Sequence, residues 1–225
     1  QYIMGQEVEN FEKLFAIYCN RKYCIGVSSG TDAIYIALKS LGVGPGDEVI
    51  TTSFSWIATT NAIAMTGASP VFCDIDDDLN INIDSVKKMI SEKTRAILPV
   101  HYTGRACNID GINEISKKYK IPIVYDAAQS FGSTYNNQPI GMYGDIACFS
   151  MNPMKTLGAL GDAGCIFTDD KELHDHMKVF RYNGTVNKEF CLTKGLNGRL
   201  DSLQAAFLVD RYELMKDKID KIKLI

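Results

Sequence analysis

The chain has 225 residues, of which 46% are hydrophobic and 23% charged, and its formal net charge at pH 7 is -3. These values are typical of a globular protein with a sizeable core, and the lack of a basic surplus argues against nucleic acid or an anionic membrane as a partner. No apolar run reaches the roughly 20 residues that a membrane-spanning helix needs.

Strands and helices alternate along the first 130 residues. After a helix that starts near Glu7, CIGVSSG is a strand ending in small residues and TDAIYIALKSLG is a helix. The same pair recurs in DEVITTS and WIATTNAIAMTG, in SPVFCDI and a helix at about Asp84 to Glu92, and in TRAILPVHY and GINEISKKYK, before the strand IPIVYDAA. This alternation predicts an α/β protein with a mostly parallel sheet and right-handed crossovers.

The second part of the chain has a different pattern. Two strand-like runs, DIACFSM and GCIFTDD, flank a loop that carries Lys155, and a helix from about Lys171 to Phe180 follows. A polar segment from Tyr182 to Gly198 then leads to a long amphipathic helix that begins near Asp201. The apolar spacing of its last residues, KIDKIKLI, predicts packing against a segment outside this sequence.

Four features that stand at predicted strand ends could carry chemistry. Free N–H groups where a strand meets a helix at Ser28 to Thr31 would make an anion site, although a simple N-cap is an equal alternative. Trp56 could stack on a flat ligand or lie in the core. Asp126 stands where open α/β sheets bind ligands, with a helix N-cap as its alternative. Small and apolar neighbours would let Lys155 be partly buried, which favours a neutral, nucleophilic amine, although an ordinary surface loop lysine is the commoner alternative for a lysine taken alone.

Other polar groups give weaker signals. Asp74, Asp76 and Asp78 lack the Gly and Glu that a calcium loop needs, and His174 and His176 lie two apart on a helix, so no metal site is predicted. His101 ends a strand near the predicted site and has no assigned role.

Seven cysteines without a CxxC pair indicate reduced thiols, and with no N-terminal leader the sequence predicts a cytoplasmic protein.

Together, these four features are the parts that a pyridoxal phosphate enzyme requires: an anion site for the phosphate, an aromatic side chain that stacks on the flat ring, a carboxylate at a strand end and a lysine. The lysine would hold the cofactor covalently, the aspartate would keep the ring nitrogen protonated, and the helix N-terminus would bind the phosphate. These residues therefore predict a pyridoxal phosphate site at the carboxyl edge of the sheet.

Five motifs in order resemble the DegT/DnrJ/EryC1/StrS family of nucleotide-sugar aminotransferases: SSGTDAI, GPGDEVI, VYDAAQSFG, FSMNPMKTLGALGDAG and NGRLDSLQAA. The resemblance covers nearly the whole chain. It implies a three-layer α-β-α, fold-type I pyridoxal phosphate transferase that forms a homodimer with shared active sites. It also implies that residues 1–200 form the cofactor-binding large domain and that 201–225 form a linker helix to a small C-terminal domain that is missing here.

The resemblance assigns a role to individual residues. Lys155 matches the lysine that binds the cofactor, and Asp126 matches the partner of the pyridine nitrogen. The remaining matches are Gln129 for the ring oxygen, Trp56 for ring stacking, Gly30, Thr31 and Ser150 for the phosphate, and Asn197 for the phosphate of the neighbouring subunit's cofactor.

The resemblance implies amination of a nucleotide-linked keto sugar with glutamate as donor, for polysaccharide or glycan biosynthesis. Dehydratases of the family carry His at the lysine position, so Lys155 disfavours that branch. The alternatives are an aminotransferase acting on a cyclitol or an aminohydroxybenzoate precursor, and a non-catalytic sensor that keeps the fold. An intact lysine and aspartate weigh against the sensor, since neither is needed merely to hold a ligand.

Overall fold

The computed structural model describes residues 2–187 and 189–222. Its helices in that range are α1 (Gln6–Tyr18), α2 (Gly30–Ser40), α3 (Ile57–Met65), α4 (Ile83–Met89), α5 (Ile109–Tyr119), α6 (Lys171–Phe180) and α7 (Ser202–Ile222). Its strands are β1 (Tyr23–Val27), β2 (Glu48–Thr52), β3 (Ser69–Cys73), β4 (Thr94–Leu98), β5 (Val124–Asp126), β6 (Thr134–Tyr135), β7 (Gln138–Pro139), β8 (Ile146–Ser150), β9 (Gly164–Thr168), β10 (Thr185–Val186) and β11 (Phe190–Cys191).

Seven strands form one continuous sheet in the order β1-β9-β8-β5-β4-β2-β3. Two ladders, β1-β9-β8-β5 and β3-β2-β4, meet where β4 and β5 pair through the parallel bridges Ile97–Ile123 and Val100–Asp126. All neighbours run parallel except β9, which is antiparallel to both β1 and β8. The predicted α/β fold with a mostly parallel sheet is confirmed, and β9 is its one reversed strand among the described residues.

Helices cover both faces of the sheet, because successive residues of the strands point to opposite sides. On one face, strand side chains such as Val124 and Ile146 pack against α2, α3 and α6. On the other face their neighbours, such as Tyr125 and Ala147, pack against α1, α4, α5 and α7. The chain therefore has three layers, and each sheet face contributes its own hydrophobic core.

A buried ion pair ties α1, β1 and α6 together. Arg181 is only 1% exposed, and its Nη1 donates to Glu12 Oε1 at 2.5 Å and to the Gly26 carbonyl at 2.6 Å. Glu12 Oε1 also accepts from the Gly26 N–H at 2.9 Å. This network fixes the strand that leads directly into α2.

The last helix begins one residue later than the sequence predicts. Ala205, Leu208 and Tyr212 in its first half are buried and pack against Phe15 of α1 and its neighbours. The side chains of KIDKIKLI lie outside the described residues, so the partner predicted for them stays a prediction. The polar segment before α7 contains the short hairpin β10–β11. Among the described residues, no helix combines the length and apolar character needed to cross a membrane.

Candidate active site

The carboxyl ends of the parallel strands bring the sequence-predicted residues to one edge of the sheet. Val27 ends β1 and leads into Ser28 to Thr31, and Thr52 ends β2 and leads to Trp56. Asp126 ends β5 itself, and Ser150 ends β8 and leads to the loop with Lys155. This edge is where open α/β sheets bind ligands.

The N-terminus of α2 offers unpaired donors to an anion. Ser29 caps the helix, because its Oγ accepts from the Asp32 N–H at 3.1 Å. Within the described residues, the N–H groups of Gly30 and Thr31 have no acceptor. The segment therefore serves as an N-cap and can also serve as an anion site, since the cap uses one N–H group and leaves two for a ligand.

Ser150 lies directly against the start of α2. A Cβ added to Gly30 would stand 2.6 Å from Ser150 Cβ and 3.2 Å from its Oγ, which is closer than real side chains approach. Glycine is thus required for the helix N-terminus to reach the end of β8. The Ser150 hydroxyl, partly exposed, joins the two free N–H groups in a cradle of donors.

Asp126 is a buried carboxylate with two hydrogen-bond donors. Its Oδ2 accepts from Thr59 Oγ1 at 2.7 Å, and its Oδ1 accepts from the Ala128 N–H at 3.1 Å. Burial raises the pKa of Asp126, and the hydrogen bonds from Thr59 and Ala128 and the charge of Lys155 oppose that rise. The residues directly after Asp126 form a turn and not a helix, so the N-cap alternative is wrong. A buried acid of this kind is stabilised in its ionised form by a cationic ligand.

Lys155 lies in the loop between β8 and β9, half-buried, and its charge acts on Asp126. The loop is closed by backbone hydrogen bonds from Met151 N–H to the Ala163 carbonyl at 2.7 Å and from Ala159 N–H to the Met151 carbonyl at 2.8 Å. A Cβ on Gly158 would stand 2.6 Å from a carbonyl oxygen in the loop, so the small residue is needed there. Lys155 therefore stands on a tightly folded loop, within range for its charge to act on Asp126.

The other predicted contact residues are exposed. Trp56 is 75% exposed as the N-cap residue of α3, so its alternative as a core aromatic is wrong. Gln129 is exposed three residues after Asp126, and Asn197 is exposed beside Tyr182 in an isolated antiparallel bridge. Their assigned contacts with a ring, a ring oxygen and a partner's phosphate stay predictions.

The sequence analysis missed Thr59 and Ser55. Ser55 Oγ lies 2.7 Å from Thr59 Oγ1, which in turn donates to Asp126. Both hydroxyls follow the carboxyl end of β2, four residues apart at the start of a predicted helix. That spacing was a usable signal, because residues i and i+4 meet at the same side of a helical turn.

His101 is fully buried in the core. Its ring stacks on Tyr125 at 4.6 Å, and its Nδ1 accepts from the Cys107 N–H at 3.2 Å. Burial lowers the pKa of His101 to about 3. The ring is therefore neutral at physiological pH and has a structural place in the core.

These residues fit pyridoxal phosphate. The free N–H groups of α2 and the Ser150 hydroxyl suit its phosphate, and a buried carboxylate suits a protonated ring nitrogen. An exposed indole suits its flat ring, and a half-buried lysine at the same sheet edge suits its carbonyl carbon. No group of three or more His, Cys, Asp or Glu side chains suited to a metal ion occurs among the described residues.

Comparison with known proteins gives one consistent family. Residues 1–223 match the model of the DegT/DnrJ/EryC1/StrS aminotransferase family. The chain is 42% identical to a UDP-2-acetamido-2-deoxy-3-oxo-D-glucuronate aminotransferase from Pseudomonas aeruginosa, over 97% of this chain and 61% of the relative. It is 45% identical to a dTDP-3-amino-3,6-dideoxy-alpha-D-galactopyranose transaminase from Aneurinibacillus thermoaerophilus, over 96% and 60% of the two chains.

A crystal structure of NtdA from Bacillus subtilis with bound cofactor PMP is similar to the whole described fold. Its TM-score is 0.89 at 38% identity, and the match covers 94% of this chain and 48% of that one. The chain thus spans about 60% of the length of the two sequence relatives and about half of NtdA.

Proposed function

This chain belongs to the DegT/DnrJ/EryC1/StrS aminotransferase family, and we propose that it transfers an amino group from glutamate to the keto group of a nucleotide-linked sugar with pyridoxal phosphate as cofactor. The observation that carries the proposal is the buried Asp126 at the same sheet edge as the Gly30–Ser150 cradle, with Lys155 on the adjoining loop close enough for its charge to act on that carboxylate. A lysine and a buried carboxylate are needed for transamination and not for merely holding a ligand.

We propose carbon 3 of the sugar as the site of amination. The names of both sequence relatives place the oxo or amino group at position 3, on a UDP-sugar in one and a dTDP-sugar in the other. Because the sugars named for the two relatives carry different nucleotides, the names support the position of the keto group more strongly than the identity of the base.

Each residue of the site would have one task in this reaction. The N–H groups of Gly30 and Thr31 and the Ser150 hydroxyl would bind the phosphate, and the Trp56 ring would stack on the pyridine and exclude water from that face. When bound, pyridoxal phosphate supplies an electron sink for the bond that breaks at the amino-bearing carbon. The Asp126 carboxylate would balance a proton on the ring nitrogen. Lys155 Nζ would take a proton from the amino-bearing carbon and return one as general base and acid.

A homodimer belongs to the same proposal. Met154 and Leu160 in the lysine loop are large apolar side chains that are 92% and 60% exposed. Exposed apolar side chains concentrated in one region are typical of protein interfaces. Asn197 would then reach the phosphate bound by the partner subunit.

We further propose that residues 1–200 act as the cofactor domain with 201–225 as a connecting helix. The free thiols of all seven cysteines support a reducing, cytoplasmic compartment.

Borohydride reduction of the full-length protein loaded with pyridoxal phosphate, followed by peptide mapping, tests the role of the lysine. We expect the label on Lys155 alone. Lys155→Ala should carry no label, and Lys117→Ala, on the exposed face of α5, should keep the wild-type label. Label on another residue, or none in the wild type, contradicts the proposal.

Mass analysis of products tests the substrate. The full-length protein is incubated with glutamate and a panel of nucleotide 3-keto and 4-keto sugars, together with a keto-cyclitol and an aminohydroxybenzoate precursor. Amination of the 3-keto nucleotide sugars is the expected result. Conversion of the cyclitol or the aromatic precursor alone would favour that alternative, and bound cofactor that no amino donor converts would favour a sensor.

A further inference from the structure

We propose that Thr59 and Ser55 are positioning residues for Asp126, two hydroxyls in series that hold its carboxylate in one orientation and supply the hydrogen bond that keeps it ionised. The inference rests on the proposed function, in which an ionised Asp126 faces the cofactor's ring nitrogen. It adds two residues to the site that none of the five family-like motifs contains.

The direction of the two hydrogen bonds follows from proton counting. A hydroxyl has one hydrogen, whereas an ionised carboxylate can only accept. Thr59 Oγ1 lies 2.7 Å from Asp126 Oδ2, so the Thr59 hydrogen is used on that bond. In the bond of 2.7 Å between Ser55 Oγ and Thr59 Oγ1, Ser55 must therefore be the donor. The two bonds point the same way, and a donor that itself accepts a hydrogen bond becomes a stronger donor.

Asp126 needs such a donor because of where it lies. The side chain is buried, and burial is the largest influence on its pKa, which is raised. Among the groups that oppose this rise, the Thr59 hydroxyl is the largest, ahead of the Ala128 N–H and the charge of Lys155. Cys148 on β8 is the other titratable neighbour, and it would add negative charge only as a thiolate, which its own burial disfavours. Thr59 is thus the main side chain that holds the charge on Asp126.

The two hydrogen bonds from Ser55 to Thr59 and from Thr59 to Asp126, which we call the relay, also connect Asp126 to the exposed Trp56. Ser55 precedes Trp56, which is the N-cap residue of α3, and Thr59 lies in the first turn of that helix. Any shift of the turn that carries the indole therefore moves Ser55 and the outer hydrogen bond as well. The stacking residue and the charge partner of the ring depend on one short segment.

Three variants test the relay: Thr59→Val removes the donor at nearly equal volume, Thr59→Ser keeps it, and Ser55→Ala removes only the outer hydroxyl. The first measurement is the pKa of Asp126 in the cofactor-free protein, by carboxyl 13C NMR assigned with Asp126→Asn. We expect Thr59→Val to raise that pKa further, Ser55→Ala to raise it less, and Thr59→Ser to leave it near the wild-type value.

The second measurement uses the loaded enzyme. For Thr59→Val we expect kcat to fall about 10- to 100-fold, which corresponds to one hydrogen bond to a charged group. The KM for the sugar should hardly change, and the pH at which the bound cofactor's absorbance changes should shift. An unchanged Asp126 pKa in Thr59→Val, or a Thr59→Ser variant as impaired as Thr59→Val, overturns the inference. If Thr59→Val does not fold, Ser55→Ala decides by the same two readouts.

The two proposals can fail separately. A wild-type protein that aminates no substrate would defeat the proposed function, while the NMR titration of the cofactor-free variants would still decide the relay. Conversely, an active wild type with an Asp126 titration indifferent to both hydroxyls would defeat the relay alone.

Discussion

Gly30 and Ser150 approach so closely that a methyl group on Gly30 would stand 2.6 Å from Ser150 Cβ. The two residues come from elements 120 positions apart, the first turn of α2 and the last residue of β8. Their contact sets the width of the cradle, because it fixes the free N–H groups of the helix relative to the serine hydroxyl.

Replacing Gly30 with alanine should widen that contact. We expect Gly30→Ala to destabilise the protein by about 1–3 kcal/mol, as overpacking does, and to weaken binding of pyridoxal phosphate more than binding of pyridoxal. Thermal unfolding and cofactor titration measure the two effects. Gly44→Ala is the matched control, since its Cβ would meet nothing closer than 4.0 Å. Equal losses for both cofactor forms would mean that the cradle does not hold the phosphate.

Asp126 should cost the cofactor-free protein stability at neutral pH. Because burial raises its pKa in the folded state, the contribution of the protonated acid is fully present below the unfolded pKa of about 3.9 and is lost as pH rises through the folded pKa. Asp126→Asn should therefore raise the Tm of the apoprotein by at least about 2 °C, the shift that about 1 kcal/mol makes in a domain of this size. The advantage should shrink at acidic pH, and activity should be lost.

Asp169 provides the control of opposite sign. Burial opposes the ionisation of its carboxyl, but hydrogen bonds from the Lys22 N–H and Arg21 and the charges of both residues leave its pKa lowered. Asp169→Asn should thus reduce stability at neutral pH and lose that effect as pH falls. If the two variants change stability in the same direction with pH, the account of Asp126 is wrong.

His101 should stay neutral over the physiological range. Its folded pKa of about 3 lies below the unfolded value of about 6.5, so its contribution to stability is present above pH 6.5 and is lost as pH falls toward 3. We expect His101→Phe to cost about 1–3 kcal/mol at pH 7, since the Cys107 N–H loses its acceptor, and to cost less at pH 4. Urea unfolding at both pH values measures this. A ring that titrates between pH 5 and 8 in 15N NMR spectra contradicts the assignment.

The ion pair of Arg181 and Glu12 should be a major support of the strand that leads into the cradle. Arg181→Met removes the cation from the Glu12 carboxylate, which is 15% exposed and keeps the hydrogen bond from the Gly26 N–H. We therefore expect a loss of about 3 kcal/mol in the free energy of unfolding, the lower end of the range for a broken buried pair. Lys171→Met breaks a pair in which both side chains are more than half exposed, and it should change stability by less than about 1 kcal/mol. Similar losses in the two variants would show that burial of the pair has little effect.

Many of the helices and strands could be predicted from local hydrophobic patterns in the sequence. The bounds of α6 match the prediction, and β8 and β9 flank the lysine loop as their apolar runs indicate. Strand ends could be predicted to gather because parallel strands share one carboxyl edge. The direction of β9 could not, since a short apolar run is equally compatible with parallel and antiparallel pairing.

The side-chain networks lie beyond such patterns. Arg181 and Glu12 are 169 positions apart, and nothing near either residue indicates that they meet. The exposure of Trp56 could not be predicted either, because an aromatic residue at a strand end can pack in the core or stack on a ligand. The donors to Asp126 were missed because Ser and Thr at a helix start are first interpreted as caps.

The reversed direction of β9 has a consequence for the timing of the proposed reaction. Ser150 pairs with Gly164, so both ends of the lysine loop are clamped in neighbouring strands, and the Leu160 N–H is further held by Gln204 of α7 at 2.9 Å. Backbone opening of such a segment would belong to the microsecond range or slower. Movement of the Lys155 amine is instead left to rotations about the bonds of its own four methylene groups, and such rotations take picoseconds to nanoseconds in exposed side chains. In the proposed reaction, the amine would thus be able to move many times in one turnover while the loop stays in place.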